Sequence, residues 1–127
     1  MARILLAEDN REVSVLVQRV LAQDGYEIEP VDNGQTAIEK IATEHFDAIL
    51  LDFMMPLASG FDVITWIEEN RPELGQSCVI VLTAAVHELK TFDASKVYAT
   101  VAKPFDVFAL RETVRRCIEE KAADGQG

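Results

Sequence analysis

The stretch Ala48–Gly60, AILLDFMMPLASG, decides the fold of this chain of 127 residues. Its first four residues are all apolar, which is typical of a strand that is covered on both faces within a parallel sheet. Asp52 follows this run directly, although an ionised carboxylate without partners is costly to desolvate. We therefore interpret Asp52 either as a helix cap or as a residue at a sheet edge where chemistry takes place.

Similar apolar runs recur along the rest of the chain. Together with the central run they predict five strands, at residues 4–7, 26–31, 47–51, 78–82 and 97–102. A helical pattern of apolar residues follows each of them. Strands that alternate with helices in this way imply an α/β fold, a doubly wound parallel sheet with helices on both faces.

The ends of the predicted helices are marked by capping and turn residues. Asn10 is a suitable cap for the first helix, and Gly25 suits the turn behind it. Pro72 and Gly75 are expected to break the helical pattern behind the third helix. The other four helices are expected at Asn33–Gly34 onward, at Gly60–Asn70, at Val86–Phe92 (one or two turns only) and from about Asp106 to Lys121.

The composition excludes several classes of function. The chain carries 22 acidic and 12 basic residues, a formal net charge of -10, which argues against direct binding of nucleic acid or of an anionic membrane. A divalent cation or a cationic partner fits this charge better. Because Cys78 and Cys117 lie in apolar contexts, we expect reduced core thiols and a cytoplasmic protein. No apolar run approaches the roughly 20 residues that span a bilayer.

Ionisable and hydroxyl side chains gather where four of the strands end. Glu8–Asp9 end the first strand, Asp52 the third, Thr83 the fourth and Lys103 the fifth. In doubly wound sheets, ligands bind outside the carboxyl ends of the strands. Three neighbouring carboxylates repel one another and require a cation, and their oxygens suit Mg²⁺. A lysine and a hydroxyl beside them indicate an arrangement for phosphoryl transfer.

At these residues the chain resembles a response regulator receiver domain, the phosphoacceptor of two-component signalling. The resemblance runs from Ala2 to about Glu120 and rests on four motifs, each at a strand end. It implies a flavodoxin-like (βα)5 fold with strand order 2-1-3-4-5, of the stand-alone, chemotaxis-regulator-like type. We expect a receiver domain at residues 1–121 and a short flexible tail at 122–127. The four motifs are Glu8–Asp9, LLDFMMPLASG around Asp52, Thr83–Ala84 and Lys103–Phe105.

The resemblance also implies a role for each site residue. Asp52 is the expected phosphoacceptor and a metal ligand. Asp9 would bind Mg²⁺ directly, Glu8 would assist through water, and the backbone carbonyl of Met54 would be the third protein ligand. The remaining implied roles are contact with a phosphoryl oxygen for Thr83, an ion pair with Asp52 and then with the phosphoryl group for Lys103, and a cis peptide bond at Lys103–Pro104.

The function implied is that of a binding switch rather than an enzyme, with weak self-directed phosphoryl transfer. A sensor histidine kinase or a histidine phosphotransfer protein would donate the phosphoryl group to Asp52. The surface of the predicted fourth helix, the fifth strand and the last helix would then change its affinity for a downstream protein. We expect a monomer, or a weak dimer that depends on phosphorylation, and a natural single domain rather than a receiver excised from a larger protein.

The chain departs from the family pattern at the position of the expected switch residue, and Met54 beside the site bears on dephosphorylation. Thr100 stands where the usual switch aromatic lies, three residues before Lys103, and Tyr98 lies on the same side of the strand. Thr83, Tyr98 and Thr100 are therefore the expected switch residues. Met54, two residues after Asp52, carries a side chain that cannot act as a base or orient water, so we expect no special aid to dephosphorylation.

Other interpretations of the same residues stay open from the sequence. Glu8–Asp9, Asp52 and Thr83 could be ordinary helix caps, and Lys103 could be a solvated lysine. A haloacid-dehalogenase-like phosphatase would need an aspartate where Met54 stands. A flavodoxin-like flavin carrier would need a Ser/Thr/Gly-rich loop where Glu8–Asp9 would repel phosphate. A degenerate receiver that acts as an unphosphorylated scaffold is a fourth possibility.

Overall fold

Five parallel strands form one sheet in the computed structural model, which describes residues 1–83, 92–104 and 106–125, and the side chains of these except for residues 77 and 123–125. The strand order is β2-β1-β3-β4-β5, which confirms the predicted doubly wound, flavodoxin-like topology. The three central strands are continuous apolar runs because helices cover both faces of the sheet. The strands are β1 (Arg3–Ala7), β2 (Glu27–Val31), β3 (Ala48–Asp52), β4 (Val79–Thr83) and β5 (Ala99–Ala102).

Side-chain caps start helices around this sheet, and the cap predicted at Asn10 is confirmed. The side chain of Asn10 accepts a hydrogen bond from the backbone N–H of Val13, and that of Asn33 accepts one from Thr36. Ser59 and Asp62 form a reciprocal capping box at the next helix start. The helices are α1 (Arg11–Ala22), α2 (Gly34–Thr43), α3 (Gly60–Asn70), α4 (Pro72–Cys78) and α5 (Val107–Gly125), with a 3-10 turn at Ala94–Lys96.

The helical pattern does break behind α3, which ends at Asn70 as predicted, but Pro72 and Gly75 then lie in a further short helix, α4, that was not predicted. Proline is well tolerated at the first position of a helix, where its missing N–H needs no partner. Gly75 is required by space, since a Cβ there would lie 2.4 Å from the carbonyl oxygen of Lys96. The last helix also continues past Lys121 to Gly125. The helical turns predicted at 86–92 fall on segment 84–91, outside the described residues, except for Phe92.

The core contains both cysteines and an aromatic cluster beside Asp52. Cys78 and Cys117 are buried as reduced thiols, and burial raises the pKa of Cys117 to about 12. Phe53, Phe61 and Phe92, here called the aromatic cluster, pack together: Phe53 stacks on Phe61 at 4.3 Å, and Phe92 meets Phe53 edge-on at 5.0 Å. No helix within the described residues is long and apolar enough to span a membrane.

Candidate functional site

The strand register brings the predicted site residues to one edge of the sheet. Ala7 of β1 pairs with Leu51 of β3, so Glu8 and Asp52 leave neighbouring strands at the same level. Asp52 in turn pairs with Leu82, and Thr83 with Ala102. The polar residues that follow β1, β3, β4 and β5 therefore converge at the carboxyl edge, as the parallel topology predicts.

Three carboxylates meet at this edge in a geometry that fits a divalent cation. Glu8, Asp9 and Asp52 each offer an oxygen, and these oxygens all lie within 4.8 Å of one another. Glu8 and Asp52 are buried, only 2% and 5% exposed, whereas Asp9 is exposed to solvent. Hard oxygen donors with an open, hydrated side are the ligands that suit Mg²⁺. The residues present thus fit the metal that the sequence predicted.

Lys103 places its ammonium group between two of these carboxylates. Its Nζ donates to Glu8 Oε1 and lies 3.3 Å from Asp52 Oδ2. The contact with Asp52 is the one that the family resemblance implied, whereas the closer contact with Glu8 was not predicted. The backbone N–H of Lys103 donates to the carbonyl oxygen of Thr83 at 2.8 Å, which ties the end of β5 to the end of β4. The Lys103–Pro104 peptide bond is cis.

Asp52 is held from both sides by hydrogen bonds. Its Oδ1 accepts from the backbone N–H of Met54 at 3.2 Å, while Oδ2 faces Lys103. Met54 itself is 58% exposed. Thr83, fully buried at the end of β4, is one residue beyond the strand partner of Asp52. Asp52 is therefore an oriented, nearly buried carboxylate next to an exposed loop residue.

The ionised form of the Glu8 carboxyl group is disfavoured in this arrangement. Its burial, opposed by the hydrogen bond from Lys103 and reinforced by nearby Asp52, raises its pKa from the ordinary 4.5 to about 7. The backbone N–H of Asn10 donates to Glu8 Oε2 at 3.2 Å and favours the ionised form. Because burial outweighs both hydrogen bonds, the ionised site is costly without a further cation, which is a second reason to place Mg²⁺ here.

We expect Glu8→Gln to stabilise the protein in EDTA by about 1–3 kcal/mol at pH 8 and by much less at pH 5. Since the folded-state pKa of Glu8 is raised, the folded chain binds more protons than the unfolded chain between the ordinary pKa and about 7. The stability that protonated Glu8 contributes is complete below pH 4.5 and is lost as the pH rises through about 7. Urea unfolding of both proteins across this range measures the effect. A difference in unfolding free energy that does not change with pH would contradict the raised pKa.

The loop between β3 and α3, residues 53–59, is held by backbone contacts that were not predicted from the sequence. The backbone N–H of Gly60 donates to the carbonyl oxygen of Phe53 at 2.8 Å and closes the loop. A Cβ on Gly60 would lie 2.5 Å from the carbonyl oxygen of Asp52, so only glycine fits there. Leu57 has a positive φ of 67° and is exposed. In the sequence, Gly60 indicated where this loop ends. Its closeness to Asp52 is evident only from the structure.

The expected switch residues on and before β5 have different environments. Thr100 is exposed on β5 and Tyr98 is half-buried just before it. The Tyr98 hydroxyl donates to the Glu120 carboxylate of α5, and this bond raises the pKa of Tyr98 to about 12. Tyr98 is thus joined to the last helix, whereas the side chain of Thr100 lies in solvent.

The chain is similar to known proteins in both sequence and structure. The family model for the response regulator receiver domain matches residues 4–115. The response regulator receiver protein CpdR of Brucella abortus is 30% identical over 118 residues, covering 93% of this chain and 98% of that protein. The crystal structure of response regulator protein TrrA from Thermotoga maritima, in complex with Mg²⁺-BeF, is 30% identical with a TM-score of 0.81, covering 92% of this chain and 99% of that chain.

Several relatives are much longer than this chain. The DNA-binding transcriptional regulator NtrC of Azospirillum brasilense is 30% identical over 119 residues, which cover 92% of this chain but 24% of that protein. The chain therefore spans about a quarter of the length of this relative and nearly all of CpdR. The family model covers the sheet and the carboxyl-edge site, because it begins in β1 and ends within α5.

Proposed function

The chain belongs to the response regulator receiver family of two-component signalling, and on this premise we propose that Asp52 is its phosphoacceptor. The observation that carries the proposal is the pairing of an oriented, nearly buried Asp52 with Lys103 and with two further carboxylates at the carboxyl edge. Glu8, Asp9, Asp52 and the backbone carbonyl of Met54 would hold Mg²⁺. When bound, Mg²⁺ neutralises charge on the phosphoryl oxygens and brings the carboxylate and the phosphorus together.

The chain's own groups can perform the transfer. A carboxylate oxygen of Asp52 attacks the phosphorus of a phosphohistidine on the donor protein. The new O–P bond forms as the N–P bond breaks, and the imidazole nitrogen leaves with its electron pair. Lys103 Nζ, which lies 3.3 Å from Asp52 Oδ2, is placed to pair with the phosphoryl oxygens, and the Thr83 hydroxyl is the proposed hydrogen-bond donor to one of them. The product is an acyl phosphate that water later removes, so the chain is a phosphoacceptor switch rather than an enzyme with a separate substrate.

Four exposed apolar residues in elements that begin at the carboxyl edge support contact with partner proteins. Leu16 lies on α1, Met54 and Leu57 lie in the loop after β3, and Phe108 lies in the first turn of α5; all four are large, apolar and exposed. Each of these elements starts at the carboxyl edge of the sheet. We propose that a histidine kinase or phosphotransfer protein docks here in the cytoplasm. A downstream protein would respond at the surface of residues 86–92, β5 and α5, with dimerisation weak and dependent on phosphorylation.

Phosphorylation by acetyl phosphate tests the proposal. We expect the wild-type chain to gain one phosphoryl group, as measured by intact mass, when acetyl phosphate and MgCl₂ are both present. Peptide mapping should place the group on Asp52, and EDTA should prevent its addition. Labelling that is independent of Mg²⁺, or labelling on another residue, would reject the phosphoacceptor assignment.

We expect Met54→Asn to shorten the lifetime of the acyl phosphate on the order of tenfold, because the amide can orient a water molecule for attack. The effect should be smaller than that of a general base, since an amide does not deprotonate the water. Met54 lies two residues after Asp52, and its exposed thioether cannot position a water molecule. Met54→Leu is the matched control, since it keeps an apolar side chain of similar size. The decay of phosphorylated protein after removal of acetyl phosphate measures the lifetime. Equal decay rates for all three proteins would contradict this geometry of the site.

A further inference from the structure

The first residue of α2 lies directly against the loop after β3. A Cβ on Gly34 would be 2.0 Å from the carbonyl oxygen of Ala58 and 2.6 Å from its carbonyl carbon, far closer than real Cβ contacts. The backbone N–H of Gly34 also donates to the carbonyl oxygen of Pro56 at 3.4 Å. Gly34 does not have a positive φ, so glycine is required here by the closeness of the loop and not by the backbone angle.

The same loop is fastened to the site at its other end. Gly60 closes the loop on Phe53, and the backbone N–H of Met54 donates to Asp52 Oδ1. Between these two ends the chain turns tightly at Pro56–Ala58, where the Ala58 N–H donates to the Pro56 carbonyl oxygen at 2.7 Å. The loop therefore has two supports, Gly60 at its base and Gly34 at its tip, with the Met54 backbone between them.

We propose that Gly34 is a positioning residue for the phosphoacceptor site, although α2 contributes none of the residues that we assign to the chemistry. By admitting the Pro56–Ala58 turn into contact with the α2 N-terminus, Gly34 sets the position of the loop and hence of the Met54 backbone at the metal site. This inference rests on the proposed function, because it concerns the Mg²⁺ site formed with Asp52. A methyl group at Gly34 pushes the turn away from α2, and the loop carries Met54 with it.

Gly75 provides a matched control for this proposal. A Cβ on Gly75 would lie 2.4 Å from the carbonyl oxygen of Lys96, so Gly34→Ala and Gly75→Ala each press one methyl group against a backbone carbonyl. Gly75 lies in α4, before β4, and Lys96 lies before β5, so that contact is at the amino edge of the sheet. The two substitutions impose the same kind of steric clash, more severe at Gly34, at opposite edges of the sheet.

The experiment is calorimetric titration of MgCl₂ into the wild type and both variants, at a temperature where circular dichroism shows all three folded. Both variants are expected to have a lowered Tm. Only Gly34→Ala is expected to weaken Mg²⁺ binding, by about tenfold, as is typical for residues that orient metal ligands. Wild-type affinity in Gly34→Ala, or an equal loss in Gly75→Ala, would overturn the proposal.

If Gly34→Ala does not fold, an NMR measurement on the wild type tests the positioning role of Gly34. With six glycines in the chain, the glycine amide resonances are readily assigned. Saturating Mg²⁺ is expected to shift the amide of Gly34 and to leave that of Gly75 in place, and an unmoved Gly34 resonance would refute the positioning role. Absence of Mg²⁺ binding to the wild type would instead reject the proposed function, so the two failures are distinct.

Discussion

An Asp52→Asn variant is expected to take up no phosphoryl group from acetyl phosphate at any concentration of Mg²⁺. The amide occupies the same space and can still accept the hydrogen bond from the backbone N–H of Met54. It lacks the anionic oxygen that attacks phosphorus, so the loss is of the nucleophile and not of the fold. Intact mass after incubation with acetyl phosphate gives the labelled fraction, and circular dichroism checks that the variant remains folded.

Asp9→Asn is the control that separates the nucleophile from the metal site. Asp9 shares the carboxylate cluster with Asp52 but is exposed and is not expected to accept the phosphoryl group. We expect labelling of Asp9→Asn to fall at low Mg²⁺ concentration and to recover as the Mg²⁺ concentration is raised, because the substitution weakens only the binding of Mg²⁺. Recovery of labelling in Asp52→Asn at high Mg²⁺ would assign the phosphoryl group to another residue.

Lys103→Met is expected to destabilise the protein in EDTA by about 3 kcal/mol, the lower end of the cost of leaving a buried charge without its partner. Lys103 Nζ contacts both Glu8 and Asp52, and these two carboxylates are nearly inaccessible to water. Methionine keeps most of the length of the side chain and removes the charge. Urea unfolding in EDTA and again in saturating MgCl₂ measures the effect. Mg²⁺ should restore much of the lost stability, because it supplies positive charge to the same oxygens.

The double variant Lys103→Met, Glu8→Gln tests the cause of this loss. If the destabilisation comes from the unpaired Glu8 carboxylate, then removing its charge should recover most of the stability in EDTA. Additive effects of the two substitutions would show that the loss comes from the other contacts of Lys103, with Asp52 or through packing of its aliphatic stem. The same cycle separates the contact of Lys103 with Glu8 from its contact with Asp52.

Much of the sheet could be predicted from the sequence because its three central strands are short, nearly continuous apolar runs. The strand order was implied by the family resemblance and is the one observed. With β1 and β3 adjacent and parallel, their register places Asp52 beside Glu8. The helix α4 could not be predicted in this way, since Pro72 and Gly75 favour breaks by local preference. Gly75 is instead kept by the carbonyl of Lys96, which lies 21 positions further along the chain.

The candidate site was predictable in its members but not in its contacts. Residue type and strand-end position indicated the carboxylates and the lysine. The closer approach of Lys103 to Glu8 depends on how deeply each side chain is buried, which no spacing in the sequence reveals. The fit of Gly34 against Ala58 likewise depends on the packing of two segments that are distant in sequence. Contacts of this kind arise from tertiary packing rather than from local pattern.

The aromatic cluster is an NMR reporter on the backbone beside Asp52. Phe53 follows Asp52 directly, is fully buried, and packs against both Phe61 and Phe92. The protons of Phe92 therefore sit in the ring currents of two neighbours, with ring centroids 5.0 Å and 5.7 Å away. Such fields change steeply over fractions of an ångström, so a small displacement of the Asp52–Phe53 backbone changes the Phe92 resonances. A change in the backbone beside Asp52 is therefore visible in the Phe92 resonances without any attached label.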